Sequence, residues 1–596
     1  MALFMKLKNT IKWNWSRDIK VALLFFLSFL LFGCGSFDKK QIPKNSHFLF
    51  ITPNSEATFE SLAEDYLGDA RLVSRIKEFN GLDRLVANQE IIIPLQSFRP
   101  GGLTAKGYQL VPVLAYHHFS QSNSNKKMIV GASKFDQQLR HLKSNGYYGI
   151  SLDQFFDYLN FGQVPEKSVV ITIDDGWASA YSIAYPLLKK HDYPAVLYIQ
   201  TNNIREREGR FLNWTQLRSM LADETVDIQP HTKTHRDLTK QYQEESFSSY
   251  IRAIRFEMAG AKHAISKNLG YSTTSLAYPY GATNSFVSAL AKVEGYTTGF
   301  TVRRKGNPFF LNNFELNRAM IYGGYNERQF AKNIKTFEPL ILEKSEPIDE
   351  SLNMAQLNYQ NPETYENKDQ WRTAFMAWKI HRDWLVSGLN HNATTNRSRV
   401  IEQIEQADNQ IIVLSEKLKK IAGEHYRSAM ATSKKDAHFK GLLLTLLYDP
   451  RHEEALRNLK LLDKKTEMLE YLVKAGDTSK KIAKLVYGNE RKEILIPVFN
   501  ARVKDDSDLT PGMVLKLPKR PKTQIVNQSK RVNNSRCGLS DSSKSNKELS
   551  AEYYASAIQQ FNNGNTSQAI SSLKTSLCFD PANHEAEEMQ SLLEDL

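Results

Sequence analysis

Two short stretches of this 596-residue chain hold the residue types that hydrolytic chemistry needs. In Ile171-Thr172-Ile173-Asp174-Asp175-Gly176-Trp177, an apolar β-branched run ends in two adjacent carboxylates and a glycine. In His231-Thr232-Lys233-Thr234-His235, two imidazoles stand four residues apart, just after the apolar piece Val226 to Ile228. One carboxylate and two imidazoles make a three-ligand set for a catalytic divalent metal, with a position left for water. The other carboxylate is then free to act as a base on that water. Alone, each motif says little: Asp-Asp-Gly commonly marks a solvated turn, and His-x-x-x-His an exposed helix face. Their context adds weight, because the carboxylates close a buried strand at the end where α/β folds place their sites.

The elements that must position these side chains alternate in type. Val111 to Ala115, Val169 to Ile173, Ala195 to Gln200, Ser275 to Tyr278 and Thr298 to Val302 read as strands. Between them come helical patterns: one capped by Ser133 and carrying Phe135, Leu139 and Leu142, then Ala178 to Leu188, Trp214 to Leu221 and Phe247 to Leu269. Such alternation favours parallel strands with helices outside. Residues 97–107, with Phe98-Arg99-Pro100-Gly101-Gly102, read as a linker before the first strand.

The ordered motifs resemble the polysaccharide deacetylases of carbohydrate esterase family 4. Besides the aspartate and histidine pairs, the matching runs are Val111-Pro112-Val113-Leu114-Ala115-Tyr116-His117-His118, Leu276-Ala277-Tyr278-Pro279-Tyr280-Gly281 and Glu315-Leu316-Asn317-Arg318-Ala319. The resemblance spans roughly residues 108–340. It implies a distorted, incomplete (β/α) barrel that deacetylates N-acetylglucosamine residues in a polysaccharide. It also implies Asp175, His231 and His235 as metal ligands, Asp174 as base, and the backbone N–H of Tyr280 as oxyanion donor. A carboxylate with two neutral imidazoles suits zinc.

Two departures from the family pattern matter. Many members carry an acidic-step histidine near the end of the domain, but Arg318 is followed here by Ala319-Met320-Ile321-Tyr322. The Tyr116-His117-His118 run instead resembles a permuted subgroup that deacetylates poly-N-acetylglucosamine. Successive side chains of a strand face opposite ways, so one of the two histidines faces the metal, and the resemblance selects His117 as the acid. Much of the family also has an arginine shortly before Pro-Tyr that orients the base. Leu276-Ala277-Tyr278 supplies none, so Arg318 either takes over that role or is a solvated strand-end charge.

The flanks give a multidomain chain. Residues 48–96 resemble a degenerate LysM carbohydrate-binding module, a βααβ unit with helix faces at Phe59, Leu62, Ala63 and at Leu72, Ile76, Phe79, closing on Ile91-Ile92-Ile93-Pro94. A second copy spans residues 469–518, with Gly476-Asp477-Thr478 and Val514-Leu515-Lys516-Leu517-Pro518, and Asp477 or Thr478 as helix cap. Such modules recognise N-acetylglucosamine-containing glycans, and two copies would add avidity; a plain packing role is the alternative. Residues 341–468 are mostly helical, and Asp449-Pro450 through Glu454-Ala455 recurs as Asp580-Pro581 through Glu585-Ala586. Residues 550–596 resemble a tetratricopeptide repeat, a contact surface for a protein partner. Residues 519–549 are basic and rich in Ser, Asn and Lys, a composition typical of disordered linkers.

Residues 1–34 read as a targeting segment. Five cations from Lys6 to Lys20 precede an apolar run, Val21 to Phe32, shorter than the ~20 residues of a spanning helix. Leu31-Phe32-Gly33-Cys34 resembles a bacterial lipoprotein box, with Cys34 lipidated; an uncleaved anchor is the alternative. Either places the folded part outside the cytoplasm, and Gly35 after the box leans towards the outer membrane facing the periplasm. An exported chain permits a Cys537–Cys578 disulfide, or the two remain free. Net charge is +13, an excess spread over helices and linkers, without the basic, aromatic-interleaved stripe of a nucleic-acid module. Two functions are therefore expected to compete: a metal-dependent deacetylase of peptidoglycan or poly-N-acetylglucosamine, and a catalytically silent glycan-binding scaffold of the envelope.

Overall fold

The computed structural model describes residues 42–590 with interruptions, the longest being 341–356 and 519–544. The leader 1–34 with Cys34, and Cys537, lie outside the described residues, while Cys578 is disulfide-bonded. Among the described residues, no helix is long and apolar enough to cross a membrane.

Seven strands form the centre: β1 (Val113–Tyr116), β2 (Ser168–Asp175), β3 (Ala195–Ile199), β4 (Val226–Pro230), β5 (Ser275–Ala277), β6 (Thr298–Phe300) and β7 (Ala319–Met320). Five lie in the order β4-β3-β2-β1-β7, every pair parallel. Strands β5 and β6 make a separate parallel pair. Beyond β6, Thr301 N–H donates to Leu316 O at 2.8 Å, joining this pair to the run that leads into β7. On the other side, Gln229 Oε1 accepts from the N–H groups of Thr274 and Ser275 at 3.1 and 3.0 Å. The parallel sheet is thereby curled into a distorted barrel with one seam bridged by a side chain.

Strand β2 is the buried centre of the sheet. All eight of its residues are buried, as expected for a central parallel strand covered on both faces. Val169, Ile171 and Ile173 pack outward against Leu139, Leu142 and Leu188. Val170 points the other way, into a cluster with Phe155 and Phe300. The same alternation turns Asp174 inward.

The outer helices are α1 (Ala132–Ser144), α2 (Tyr185–His191), α3 (Trp214–Ala222), α4 (Phe247–Leu269) and α5 (Ser285–Val293). Two expectations are corrected here. Helix α1 begins before Ser133, with Gly131 at its cap and no side-chain bond there. The helix expected from Ala178 to Leu188 is a π-turn over Ala180–Ala184 followed by α2. Pro186 has no N–H for a regular helical bond, and a wide turn ahead of it absorbs that break. A third correction concerns residues 97–107, which are ordered. Gly101 and Gly102 have φ of 61° and 62°, and a Cβ on Gly102 would lie 2.2 Å from Gln109 Cβ. These glycines serve close packing against Phe161, Phe309 and Gln109, and the segment is part of the fold rather than a plain linker.

Both flanking units have the βααβ form. Phe48–Ile51 pairs antiparallel with Ile91–Pro94 around helices Phe59–Leu67 and Val73–Asn80. Met468–Leu472 pairs antiparallel with Val514–Pro518 around Ser479–Tyr487 and Leu495–Phe499, and Thr478 caps the first of these helices. The first unit packs Phe48, Phe79 and Ile92 on Ala377 and Ile380 of helix α6 (Trp371–His391). The second packs Leu495 and Ile496 among Phe247, Tyr250 and Phe286 of α4 and α5. Helices α7 (Arg397–Ala431), α8 (Lys435–Tyr448) and α9 (Glu453–Leu462) close the end of the barrel where the strands begin, with Leu442 and Leu443 in the cluster of Val113, Phe155 and Phe309. A last pair, α10 (Asn546–Asn562) and α11 (Thr566–Phe579), packs at the opposite end, against Trp177. Because α10 starts at Asn546, the linker expected over 519–549 ends sooner. Both Asp-Pro repeats follow a helix end, α8 at Tyr448 and α11 at Phe579.

Candidate active site

At the C-terminal ends of the strands, one cavity is lined by His117, Asp174, Asp175, His231, His235, Tyr280 and Arg318. The seven residues singled out as metal ligands, base, acid, oxyanion donor and base partner thus share one space. Asp175 ends β2, and His231 follows β4 directly. These strands are not immediate neighbours: β3 lies between them, with Ile199 beside Asp175.

The three proposed ligands offer donor atoms that all lie within 4.8 Å of one another. His231 Nε2 is 3.2 Å from His235 Nε2 and 3.7 Å from Asp175 Oδ1; His235 Nε2 is 3.8 Å from the same oxygen. Two donors each ~2.1 Å from a tetrahedral ion stand about 3.4 Å apart, so these spacings fit one divalent cation. The His231 ring is oriented by Ala277 O, 2.8 Å from Nδ1, which assigns the proton to Nδ1 and turns Nε2 into the cavity.

Charge and burial prepare the same site. Burial, and then repulsion from His231, holds His235 down to about 4, so its ring is neutral near pH 7. Burial also lowers His231. For Asp175, burial acts upward, but the nearby imidazoles of His117, His235 and His231 outweigh it and bring the carboxyl to about 2. For Asp174, burial again acts upward and is outweighed by Arg318, then His231 and His117, leaving a net lowering. The site therefore holds two carboxylates and, at His231 and His235, neutral imidazoles, the protonation states that metal binding needs.

Arg318 is fully buried, and its Nη1 donates to Asp174 Oδ1 at 2.6 Å and to Thr172 Oγ1 at 3.3 Å. Its Nε donates to Thr301 O at 3.1 Å. The alternative of a solvated strand-end charge does not describe this residue. His117 and His118 part company as strand alternation requires. His117 lines the cavity, whereas the His118 ring stands edge-on to Trp177 with centroids 5.2 Å apart.

Four residues with a part in the site were given none from sequence. Trp177 Nε1 donates to Asp175 Oδ2 at 3.1 Å, and Gln200 Nε2 donates to Asp175 Oδ1 at 3.0 Å. Asn203 in turn holds Gln200 at 2.7 Å. Trp177 was visible inside the aspartate motif, and Gln200 at the end of a predicted strand next to it. Glu257 on α4 left no such signal. It accepts from the N–H groups of Lys233 and Thr234 at 3.0 and 2.8 Å, and fixes the turn that carries His235. Asp175, Thr232, His235 and Tyr280 all have left-handed φ, between 59° and 77°.

Residues 161–299 match the family described as polysaccharide deacetylase. A poly-β-1,6-N-acetyl-D-glucosamine N-deacetylase of Staphylococcus aureus is 28% identical over 208 residues, covering 34% of this chain and 72% of that protein. Its counterpart of the same name in Staphylococcus epidermidis is 28% identical over 205 residues, covering 34% and 71%. Among solved structures, the Streptococcus pyogenes deacetylase PplD in complex with acetate is 27% identical, with a TM-score of 0.35, covering 38% of this chain and 99% of its own. The chain carries a polysaccharide deacetylase domain with a candidate Asp-His-His metal site.

Proposed function

We propose that this chain removes acetyl groups from N-acetylglucosamine residues of a cell-envelope or extracellular polysaccharide, with poly-N-acetylglucosamine the favoured polymer. The carrying observation is the convergence of Asp175, His231 and His235 beside an Asp174 carboxylate held by buried Arg318. The choice of polymer is supported by the two staphylococcal relatives and by the place of His117 in the cavity.

A divalent ion bound by the three ligands, zinc in this proposal, would polarise the amide carbonyl and acidify the attacking water. Asp174 accepts the proton of that water. Arg318 keeps Asp174 ionised and aimed, since its charge opposes the upward pull of burial. The N–H of Tyr280, set by the left-handed turn of that residue, is offered to the developing oxyanion. His117 delivers a proton to the departing amine, so that the C–N bond breaks to free amine and acetate.

In this proposal Cys34 anchors the exported chain to a membrane, and the two βααβ units act as LysM modules that hold the polymer. The helical pairs act as tetratricopeptide-like contacts. The test is acetate release from β-1,6-linked poly-N-acetylglucosamine and from peptidoglycan, side by side, with metal content measured on the same sample. Release from the first polymer is expected. Release from peptidoglycan alone would overturn the polymer assignment, and none from either would leave a glycan-binding scaffold.

A further inference from the structure

We infer that the C-terminal helical pair builds an aromatic subsite for the sugar ring next to the one being deacetylated. This rests on the deacetylase reading and adds to it a wall of the active site contributed by a helix that follows the whole deacetylase domain in sequence.

The catalytic cavity, about 580 Å³, lies within the size range of small-molecule sites, ~300–1,000 Å³. Its lining includes Tyr554 and Ile558 of α10, four residues apart and so on one helix face. The pair α10–α11 is seated by an apolar cluster of Trp177, Ala557, Ala569, Leu573 and Ala586, with Phe211 and Tyr554 packed against it. Ala557 is fully buried there, which places Tyr554 and Ile558 at the margin of the contact, over the cavity. Phe211 and Trp177 stack with centroids 4.5 Å apart and planes 24° apart, and Phe211 shares the cavity wall with Tyr554. Tyr280, 43% exposed, lines the same cavity.

This is chemistry suited to a pyranose. A hexose ring carries C–H groups on its faces and hydroxyl groups at its rim, so it packs flat on aromatic surfaces while its edges keep polar partners. Tyr554, Phe211 and Ile558 offer the apolar surface, and Asn203 and Lys127 line the same cavity as polar partners. The metal ligands occupy the adjoining part of the space, where the acetamido group must lie. The occupant of the aromatic part is therefore a neighbouring hexosamine ring of the same polymer.

Removing the helical pair is a poor test, because Trp177 also bonds Asp175 and its loss of cover would disturb the metal ligands. The full chain carrying Tyr554→Ala is better, compared with wild type and with Tyr554→Phe. The probe is a pentamer of β-1,6-linked N-acetylglucosamine, with calorimetric affinity, KM and kcat for acetate release, and bound metal as readouts. A ~10-fold weaker affinity and higher KM are expected for Tyr554→Ala, with kcat changed less than about threefold, normal metal content, and recovery in Tyr554→Phe. Equal affinity in wild type and Tyr554→Ala would overturn the subsite, as would a loss confined to kcat or to metal content. Absence of acetate release by wild type would overturn the enzymatic reading, and the affinity comparison would still decide the subsite.

Discussion

The two ends of the barrel are built from opposite materials. At the end where strands begin, Val113, Phe155, Phe309, Leu442 and Leu443 form a continuous apolar cluster sealed by α8. At the other end, Asp174, His231 and Arg318 are buried with their charges and polar atoms facing one another. Ten residues other than glycine have positive φ among those described, and four of them, Asp175, Thr232, His235 and Tyr280, line or carry the site. Asn, Asp and His adopt this conformation more readily than other side chains, so Thr232 and Tyr280 are the costlier pair in the site, as Phe161 and Glu224 are outside it. Buried charge is thus concentrated where chemistry happens, on strands held firm by apolar packing at the far end. The difference implies that changes at the mouth alter activity first, and changes at the base alter stability first.

The largest effect tests the mouth directly. Asp175→Ala should lose bound metal and acetate release together, because two imidazoles alone make a poor site. The protein should still unfold cooperatively, since the apolar base is untouched. Full metal occupancy in Asp175→Ala, measured by elemental analysis, would break the contrast. Next comes His117→Ala, expected to keep its metal and lower turnover by ~10²–10⁴, the usual worth of a positioned acid. His118→Ala, whose ring packs on Trp177 outside the cavity lining, should be much milder. A severe loss confined to His118→Ala would reassign the acid.

The base gives the converse. Leu443 is fully buried among the helices that close the barrel. Leu443→Ala should cost ~2–5 kcal/mol of stability through lost burial and the cavity left behind. Metal content and kcat measured well below the melting temperature should stay at wild-type values. A fall in kcat without a fall in stability would mean the two ends are not separable.

How far the sequence could be read also differs between the ends. The β-branched run Val169 to Ile173 announced a buried strand, and the motif order announced where its carboxylates would point. Local pattern suffices there, because a strand's period of two assigns every side chain to a face. The Arg318–Asp174 pair was open between two readings, since 144 residues separate the partners and no spacing rule links them. Glu257 reaches the His235 turn from a helix whose periodicity reports only its apolar face. Gly101-Gly102 read as a linker because glycine signals both freedom and close approach, and only tertiary contact tells them apart. The docking of α10 over the cavity was equally invisible, as its Tyr554 and Ile558 look in sequence like any helical apolar pair.

The smallest expected effect is a pH dependence that the two ends should not share. Burial, then repulsion from His231, holds His235 at about 4 in the folded, metal-free chain, against an ordinary ~6.5 when unfolded. As pH falls below ~6.5 the unfolded chain takes up a proton that the folded chain refuses, so stability falls with pH until about 4 and is fully present above 6.5. At the base, Lys460 donates to Leu159 O at 2.8 Å and is held below its ordinary range by burial. Its proton uptake on unfolding changes with pH only on the alkaline side, so the base contributes a flat line in acid. With the His235 side chain 21% exposed, solvent reduces the effect to roughly 1–2 kcal/mol. Burial lowers His47, His118 and His231 as well, so the measurement is a difference: unfolding free energy of metal-free wild type and His235→Asn between pH 7 and pH 4. Wild type should lose more stability than His235→Asn over that interval, whereas Leu443→Ala should run parallel to wild type, displaced downward. Equal slopes for wild type and His235→Asn would show that the mouth carries no proton-linked strain of this kind.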